Sequence, residues 1–317
     1  LGSANPCGLT TMIFLCALVV KKYQAKFKQT QEPKLTQVTT NKSYLYGNKI
    51  QDLKITIIGC GWLGIQVGEY LSKQGHSTYG SYRSESQKEK ISKTSINGFK
   101  LDLDSKSQIS TDIVDHTDLL ILPLPPIKVE DANYYATVLG NCVQQFPITT
   151  NVIFTSSIGV YPSKEGVFTE AYSFEDDENS VVRNAELKLQ KHLENRLTIL
   201  RLGGLIGPSR HPIKSMQGKS ISNDGKATVN LIHSEDVYHA INSILIKNDF
   251  GKCYNLVFPL ELNKNIYYPS MVEKYNLLQI IFGTEKSVNR RVDGQLICGN
   301  GDFNYVKNPI NFNEQLF

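Results

Sequence analysis

Lys54-Ile55-Thr56-Ile57-Ile58-Gly59-Cys60-Gly61-Trp62-Leu63-Gly64 decides the fold. Lys54–Ile58 reads as a buried strand, because β-branched side chains suit a pleated surface covered on both faces. Three glycines follow at G-x-G-x-x-G spacing. Trp62–Gln74 then reads as a helix closed by Gly75, a residue able to take a left-handed cap. In such a strand–loop–helix unit Gly59 permits the tight turn, Gly61 lets the backbone approach a ligand, and Gly64 lets helix and strand pack closely. The helix start presents unpaired N–H groups and the positive end of its dipole, which suits a diphosphate. A glycine turn without a ligand is the competing reading, and the ordered strand, loop, helix and second strand weigh against it.

Working outward, His76–Tyr82 reads as a second strand and Gly98–Leu103 as a third. Leu119–Leu124 is a fourth, ended by Pro123, Pro125 and Pro126. Asn133–Phe146 is a helix, Asn151–Ser156 a fifth strand, Ser180–Leu193 a helix and Leu197–Leu202 a sixth strand. This alternation predicts an α/β fold, a doubly wound parallel sheet of the Rossmann kind. Past Gly203 the alternation fades, which predicts a smaller C-terminal substrate lobe. The expected organisation is a flexible leader over 1–51, a dinucleotide-binding domain over 52–203 and the lobe over 204–317.

Composition narrows the function. The chain has 317 residues, 40% hydrophobic and 20% charged, the profile of a folded globular protein. Much of its net charge of +4 lies between Lys21 and Lys54, where eight lysines face only Glu32 and Asp52. The rest is close to neutral, so no nucleic-acid footprint is expected. The apolar run Met12–Val20 is shorter than the roughly 20 residues of a membrane span. Its Lys21-Lys22 pair follows the run, where a signal peptide carries charge before it. A targeting or tether role for residues 1–51 is the minor reading beside a flexible leader. The six cysteines show no metal-ligand spacing or disulfide framework, which points to reduced thiols in the cytoplasm and to no metal.

Which dinucleotide is the next question. Enzymes that use NAD place an acidic residue about 20 positions beyond the loop, on the ribose 2′-hydroxyl. Here the second strand ends Tyr79-Gly80-Ser81-Tyr82-Arg83-Ser84, with no carboxylate before Glu85. Arg83 suits a 2′-phosphate, with Ser81 and Ser84 as hydrogen-bonding neighbours. NADP is therefore expected, with NAD as the alternative. Asp102, at the end of the third strand, is placed to reach the adenine amino group.

Four segments in order carry a family resemblance: the glycine loop; Thr155-Ser156-Ser157-Ile158-Gly159-Val160-Tyr161; Leu200-Arg201-Leu202-Gly203-Gly204-Leu205-Ile206-Gly207-Pro208; and Ile232-His233-Ser234-Glu235-Asp236. The chain from about residue 52 onward resembles the extended short-chain dehydrogenases/reductases. It is most similar to their atypical YeeZ-like, epimerase/dehydratase-like branch, which shares Gly-Trp-Leu-Gly and Gly207-Pro208-x-Arg210-His211-Pro212. The resemblance implies a cofactor held by Gly59, Gly61, Trp62, Leu63 and Gly64. It implies that Pro123 covers the cofactor, with Leu122 and Leu124, and that Thr155 and Ser156 lie beside the nicotinamide. Ser157 matches the Ser that hydrogen-bonds the reacting oxygen. Arg210 and His211 border the substrate cleft, where Arg210 suits an anionic group. Dimerisation through helices flanking the sheet is common in the superfamily, so a homodimer is compatible with it.

One part of the family pattern is missing. The superfamily sets a Tyr-x-x-x-Lys pair on the helix after the Ser strand, the Tyr as acid/base and the Lys holding the ribose. Here Arg183 aligns with the Lys, which puts Asn179 at the Tyr. Arg183 keeps the positive charge and is expected at the cofactor's ribose as part of the catalytic site, but it supplies no proton at neutral pH, and asparagine is no acid/base. Tyr161, Tyr172, Glu170 and His233 are substitutes, each with a structural role as its ordinary reading. Two functions stay open: an NADP-linked oxidoreductase or epimerase acting on a small polar substrate, and a non-catalytic NADP(H)-binding sensor.

Overall fold

The computed structural model describes residues 52–103, 108–126, 131, 133–175 and 180–317. The expected leader over 1–51 and Asn179 lie outside the described residues. The first half runs β1 (Lys54–Ile57), α1 (Trp62–Lys73), β2 (Ser77–Tyr82), α2 (Glu85–Ile91), β3 (Asn97–Lys100), α3 (Thr111–Val114), β4 (Leu119–Leu122), α4 (Tyr134–Val143) and β5 (Asn151–Ser157). Then come β6 (Gly166–Phe168), α5 (Val181–Leu193), β7 (Leu197–Leu202), β8 (Gly204–Ile206), α6 (Ile213–Met216), β9 (Ser220–Asn223), β10 (Leu231–His233) and α7 (Ser234–Lys247). The chain continues through β11 (Cys253–Leu256), α8 (Lys264–Lys274), β12 (Ile281–Glu285) and β13 (Arg290–Val292).

Seven strands form one sheet in the order β11-β7-β5-β4-β1-β2-β3. Every neighbouring pair in it is parallel. Strand order reverses between β1 and β4, and the crevice beyond the strand ends at that point is where ligands bind in such sheets. The central strands are buried on both faces: all four residues of β4, Leu-Leu-Ile-Leu, are at most 1% exposed. Helix α1 covers one face with Leu63, Gly64, Val67, Gly68 and Leu71, a stripe at helical spacing. Val67 and Leu71 each contribute about 1.5–3 kcal/mol by leaving water. At Gly68 a Cβ would lie 2.6 Å from Ile96, so its absence lets α1 sit against the core.

The doubly wound sheet matches the expectation, with differences at its edges. β4 stops at Leu122 because Pro123 has no N–H to extend the ladder. β3 covers Asn97–Lys100 rather than Gly98–Leu103. The boundary drawn at Gly203 is crossed by the chain: Cys253–Leu256 returns to pair with Ile199–Leu202 at the edge of the main sheet. Outside the main sheet β8 pairs in parallel with β10 and β6 with β13, and Gly204 and Leu205 of β8 stand at the cleft. Among the described residues no helix is long and apolar enough to cross a membrane, and no cluster of His, Cys, Asp or Glu could hold a metal.

Candidate functional site

A cleft of about 710 Å³ opens along the strand ends at the reversal, from Arg83 and Asp102 past the glycine loop to Ser156, Ser157 and Arg210. Gly59 sits at φ +107°, a backbone state that side chains resist. Its N–H donates to the Ser81 hydroxyl at 2.9 Å, pinning the loop to β2. Gly61 precedes α1, and a Cβ there would meet nothing within 4 Å, so its face is open to a ligand. The first intrahelical bond is Ile65 N–H to Gly61 C=O at 3.1 Å. The amides of Trp62, Leu63 and Gly64 therefore come before the helical ladder and are available to an anion. Gly64 does not line the cleft; a Cβ on it would come 2.5 Å from the Gly59 carbonyl, so its role is to let helix and loop touch.

At the far end of β2, Arg83 and Asp102 line the cleft. Ser84 does not. It caps α2, its hydroxyl accepting from Gln87 N–H at 3.3 Å while the Gln87 side chain accepts from the backbone of Arg83 and Ser84. That reciprocal capping fixes where Arg83 leaves the strand. Gln87 itself joins the lining, a residue the sequence reading passed over.

At the other end, Ser156 and Ser157 behave oppositely. Ser156 donates to the Glu186 carboxylate at 2.6 Å. Ser157 accepts from Gly159 N–H at 3.0 Å, which leaves its own proton to donate. Glu186 is fully buried and receives Arg201 through Nε at 3.0 Å and Nη2 at 2.7 Å. Burial alone would lower the Arg201 pKa, but the hydrogen bonds and charge of Glu186 reverse this and hold it above its ordinary value. Arg201 Nη1 in turn donates to the Tyr161 hydroxyl at 2.9 Å.

Arg183 does not line the cleft, contrary to the place assigned to it. Its guanidinium lies 4.1 Å over the Phe174 ring and 3.4 Å from Glu186. Val182, one residue earlier, faces the cleft instead. The inward stripe of α5, Ala185, Glu186, Leu189 and Leu193, explains the difference: carried one turn back it reaches Val182. The substitutes for the missing Tyr are structural. Tyr161 is 2% exposed within a ring cluster with Phe168, Tyr172 and Phe174, and burial raises its pKa. Glu170 accepts from Asn255 N–H at 2.7 Å. His233 caps α7 through Nδ1 and donates from Nε2 to Glu314 at 2.8 Å. Asp236 accepts the Val306 and Lys307 amides, anchoring the C-terminal segment.

The mouth of the cleft joins both halves of the chain. Trp62 Nε1 donates to the Pro208 carbonyl at 2.8 Å, and the Arg210 guanidinium lies 4.9 Å over the Trp62 ring. His211 is 3% exposed and points away from the cleft: its Nδ1 accepts from Ile213 N–H and its Nε2 meets the Tyr267 hydroxyl at 2.8 Å. Burial lowers its pKa to about 4. It shapes the loop and does not touch the expected substrate space.

The fold is one that extended short-chain dehydrogenases/reductases share. No protein-family profile matches the chain. It is 30% identical over 262 residues to protein YeeZ of Escherichia coli (strain K12), covering 80% of this chain and 95% of that one. UDP-glucuronic acid 4-epimerase from Bacillus cereus, solved in complex with NAD, superposes with a TM-score of 0.68 at 18% identity, over 82% of this chain and 95% of that one. dTDP-glucose 4,6-dehydratase from Bacillus anthracis str. Ames, also in complex with NAD, gives 0.64 at 14% identity, over 80% and 91%. The chain belongs to the YeeZ family, and its fold is shared with the epimerase and the dehydratase.

Proposed function

We propose that this protein binds NADP(H) along the cleft and uses it as an oxidoreductase or epimerase acting on a small polar substrate. The observation behind this reading is one continuous cleft with Arg83 at one end, the open face of Gly61 in the middle and the proton-donating Ser157 at the other. A bound nicotinamide dinucleotide would supply hydride acceptance or donation. The chain's own residues do the rest. Gly59, Gly61 and the amides of Trp62 and Leu63 hold the diphosphate. Arg83 pairs with the 2′-phosphate and Asp102 takes the adenine amino group. Pro123 and Leu124 cover the nicotinamide side. Ser157 donates to the reacting oxygen of the substrate and orients it. A homodimer through helices flanking the sheet and a cytoplasmic location, consistent with free thiols at Cys60, Cys142, Cys253 and Cys298, complete the proposal.

A specific observation favours a second reading, a non-catalytic NADP(H) sensor. The described lining of the cleft contains no His, Glu or Lys. Its tyrosine, Tyr135, donates to the Leu124 carbonyl at 2.7 Å, and burial keeps it protonated. Titration of the purified chain with NADPH and NADH, followed by a screen of carbonyl substrates for loss of nicotinamide absorbance, separates the two. Arg83→Ala is expected to weaken NADPH about 10- to 100-fold, the worth of one charge-assisted phosphate contact, and to leave NADH unchanged. Equal binding of both by the wild type overturns the NADP assignment. Tight binding with no turnover of any substrate selects the sensor.

A further inference from the structure

The segment that closes the cleft from the C-terminal side is built with unusual care. Gly207 and Arg210 exchange two backbone hydrogen bonds, each 2.9 Å, so residues 207–210 form a closed tight turn. Gly207 lies at φ +152°, and a Cβ there would come 3.1 Å from the Trp62 ring. Ser209 is held at φ +58°, a state that costs a non-glycine residue energy unless its surroundings enforce it. The surroundings are the C-terminal tail. Ser209 N–H donates to the Gln315 carbonyl at 3.0 Å, and Lys214 Nζ bridges the carbonyls of Ser209 and Leu316 at 3.2 and 2.7 Å. The strain is thus maintained from two sides, and its product is the placement of one side chain, Arg210.

That placement is on the glycine-loop side of the cleft. The guanidinium stacks on Trp62, the first residue of α1, whose indole is itself fixed by the Pro208 carbonyl. The turn and the helix start therefore hold one another, and the cation lines the same cleft as Gly61, Trp62 and Leu63, whose region carries the amides that precede the α1 ladder. Among the described residues no carboxylate pairs with Arg210. A guanidinium held over an indole face still has N–H groups to offer an oxyanion.

We infer that Arg210 is a cofactor residue: it clamps the diphosphate of the dinucleotide from the C-terminal lobe, opposite the amides of α1, rather than selecting the substrate. This rests on the dinucleotide reading above. The Trp62–Pro208 hydrogen bond sets the clamp, and the C-terminal tail keeps it in place.

Calorimetric titration of the full chain with NADPH, NADH, ADP-ribose and adenosine tests the clamp. Arg210→Ala is expected to weaken NADPH, NADH and ADP-ribose alike, by roughly tenfold, the lower end for a contact to a charged group because the arginine is exposed. Adenosine, which lacks the diphosphate, should bind unchanged. Arg210→Lys keeps the charge and loses the guanidinium's contact with the Trp62 ring, so it should restore part of the affinity. Raising salt should cost the wild type more affinity than Arg210→Ala. If Arg210→Ala binds all three diphosphates within twofold of a tightly binding wild type, the clamp is wrong and the dinucleotide reading stands. If the wild type binds none of the four, the dinucleotide reading fails and takes the clamp with it. A melting temperature matching the wild type excludes a folding defect in either variant.

Discussion

Glu186→Gln is the sharpest test of how the site is supported. The carboxylate is fully buried, and its partner Arg201 is 4% exposed. It takes two bonds from Arg201, one from Ser156 and a longer one from Arg183, whose side chain is 18% exposed. Neutralising it leaves the Arg201 cation in the interior without a counter-charge, beside only neutral groups such as the new amide oxygen and the Tyr161 hydroxyl, whereas Arg183 can turn toward water. Breaking a buried pair from one side costs about 3–5 kcal/mol. At about 2–4 °C per kcal/mol for a chain approaching this size, the melting temperature should fall by roughly 6–20 °C. The double variant Glu186→Leu with Arg201→Met removes both charges. Tyr161 would still have Thr169 and Asn255 as partners, and the double variant should melt above the single one, because apolar replacement of a whole buried pair is often neutral. Scanning calorimetry on the three proteins decides. A single variant that melts within about 2 °C of wild type, or a double variant that melts below it, refutes the argument that charge pairing holds this wall together.

Two glycines of the loop should separate stability from binding. Gly64→Ala drives a Cβ to 2.5 Å from the Gly59 carbonyl and should cost about 1–3 kcal/mol in urea unfolding. Gly61→Ala projects into open space, so it should unfold like the wild type and lose dinucleotide affinity in the same titrations. Equal melting with equal loss of binding in both would contradict this division. The pH profile follows from His211, whose folded pKa of about 4 lies below its ordinary 6.5. The unfolded chain binds the extra proton between those values, so stability should fall as pH drops from about 6.5 toward 4, by up to about 3 kcal/mol. Asp236 opposes it: burial raises its carboxyl to about 6 from 3.8, so its contribution declines as pH rises through 6. Chemical unfolding between pH 4 and 7 should therefore show a flatter acid limb for His211→Gln than for wild type, and an unchanged limb would exclude His211 as the source.

The glycine loop, the central strands and their parallel order were legible because each rests on a local pattern: apolar runs for doubly buried strands, glycines where backbone must touch backbone. β11 was not. Its four residues, Cys253-Tyr254-Asn255-Leu256, are interrupted by a polar side chain whose burial makes sense only with distant partners, Tyr161 and the Asp293 carbonyl. Arg183 was misplaced because aligning charge with charge outweighed the helical stripe, which already set Val182 on the inward face. Ser84 looked like a ligand because its hydroxyl was counted before the helix it caps. The Glu186–Arg201 pair joins positions on a helix and a strand, and no spacing within either announces it.

The return of Cys253–Leu256 to the sheet bears on how proteins of this shape can change. The strand pairs residue for residue with Ile199–Leu202, so the chain leaves the sheet after Leu202, builds the wall of the cleft and re-enters beside its point of departure. A fragment cut at Gly203 would bare the β7 edge and expose Leu200 and Leu202. The two halves are therefore not interchangeable cassettes. A graft that replaced the wall would have to carry its own edge strand in register. New specificity in this architecture is accordingly reached more readily by point changes in the loops at the mouth than by exchange of whole segments.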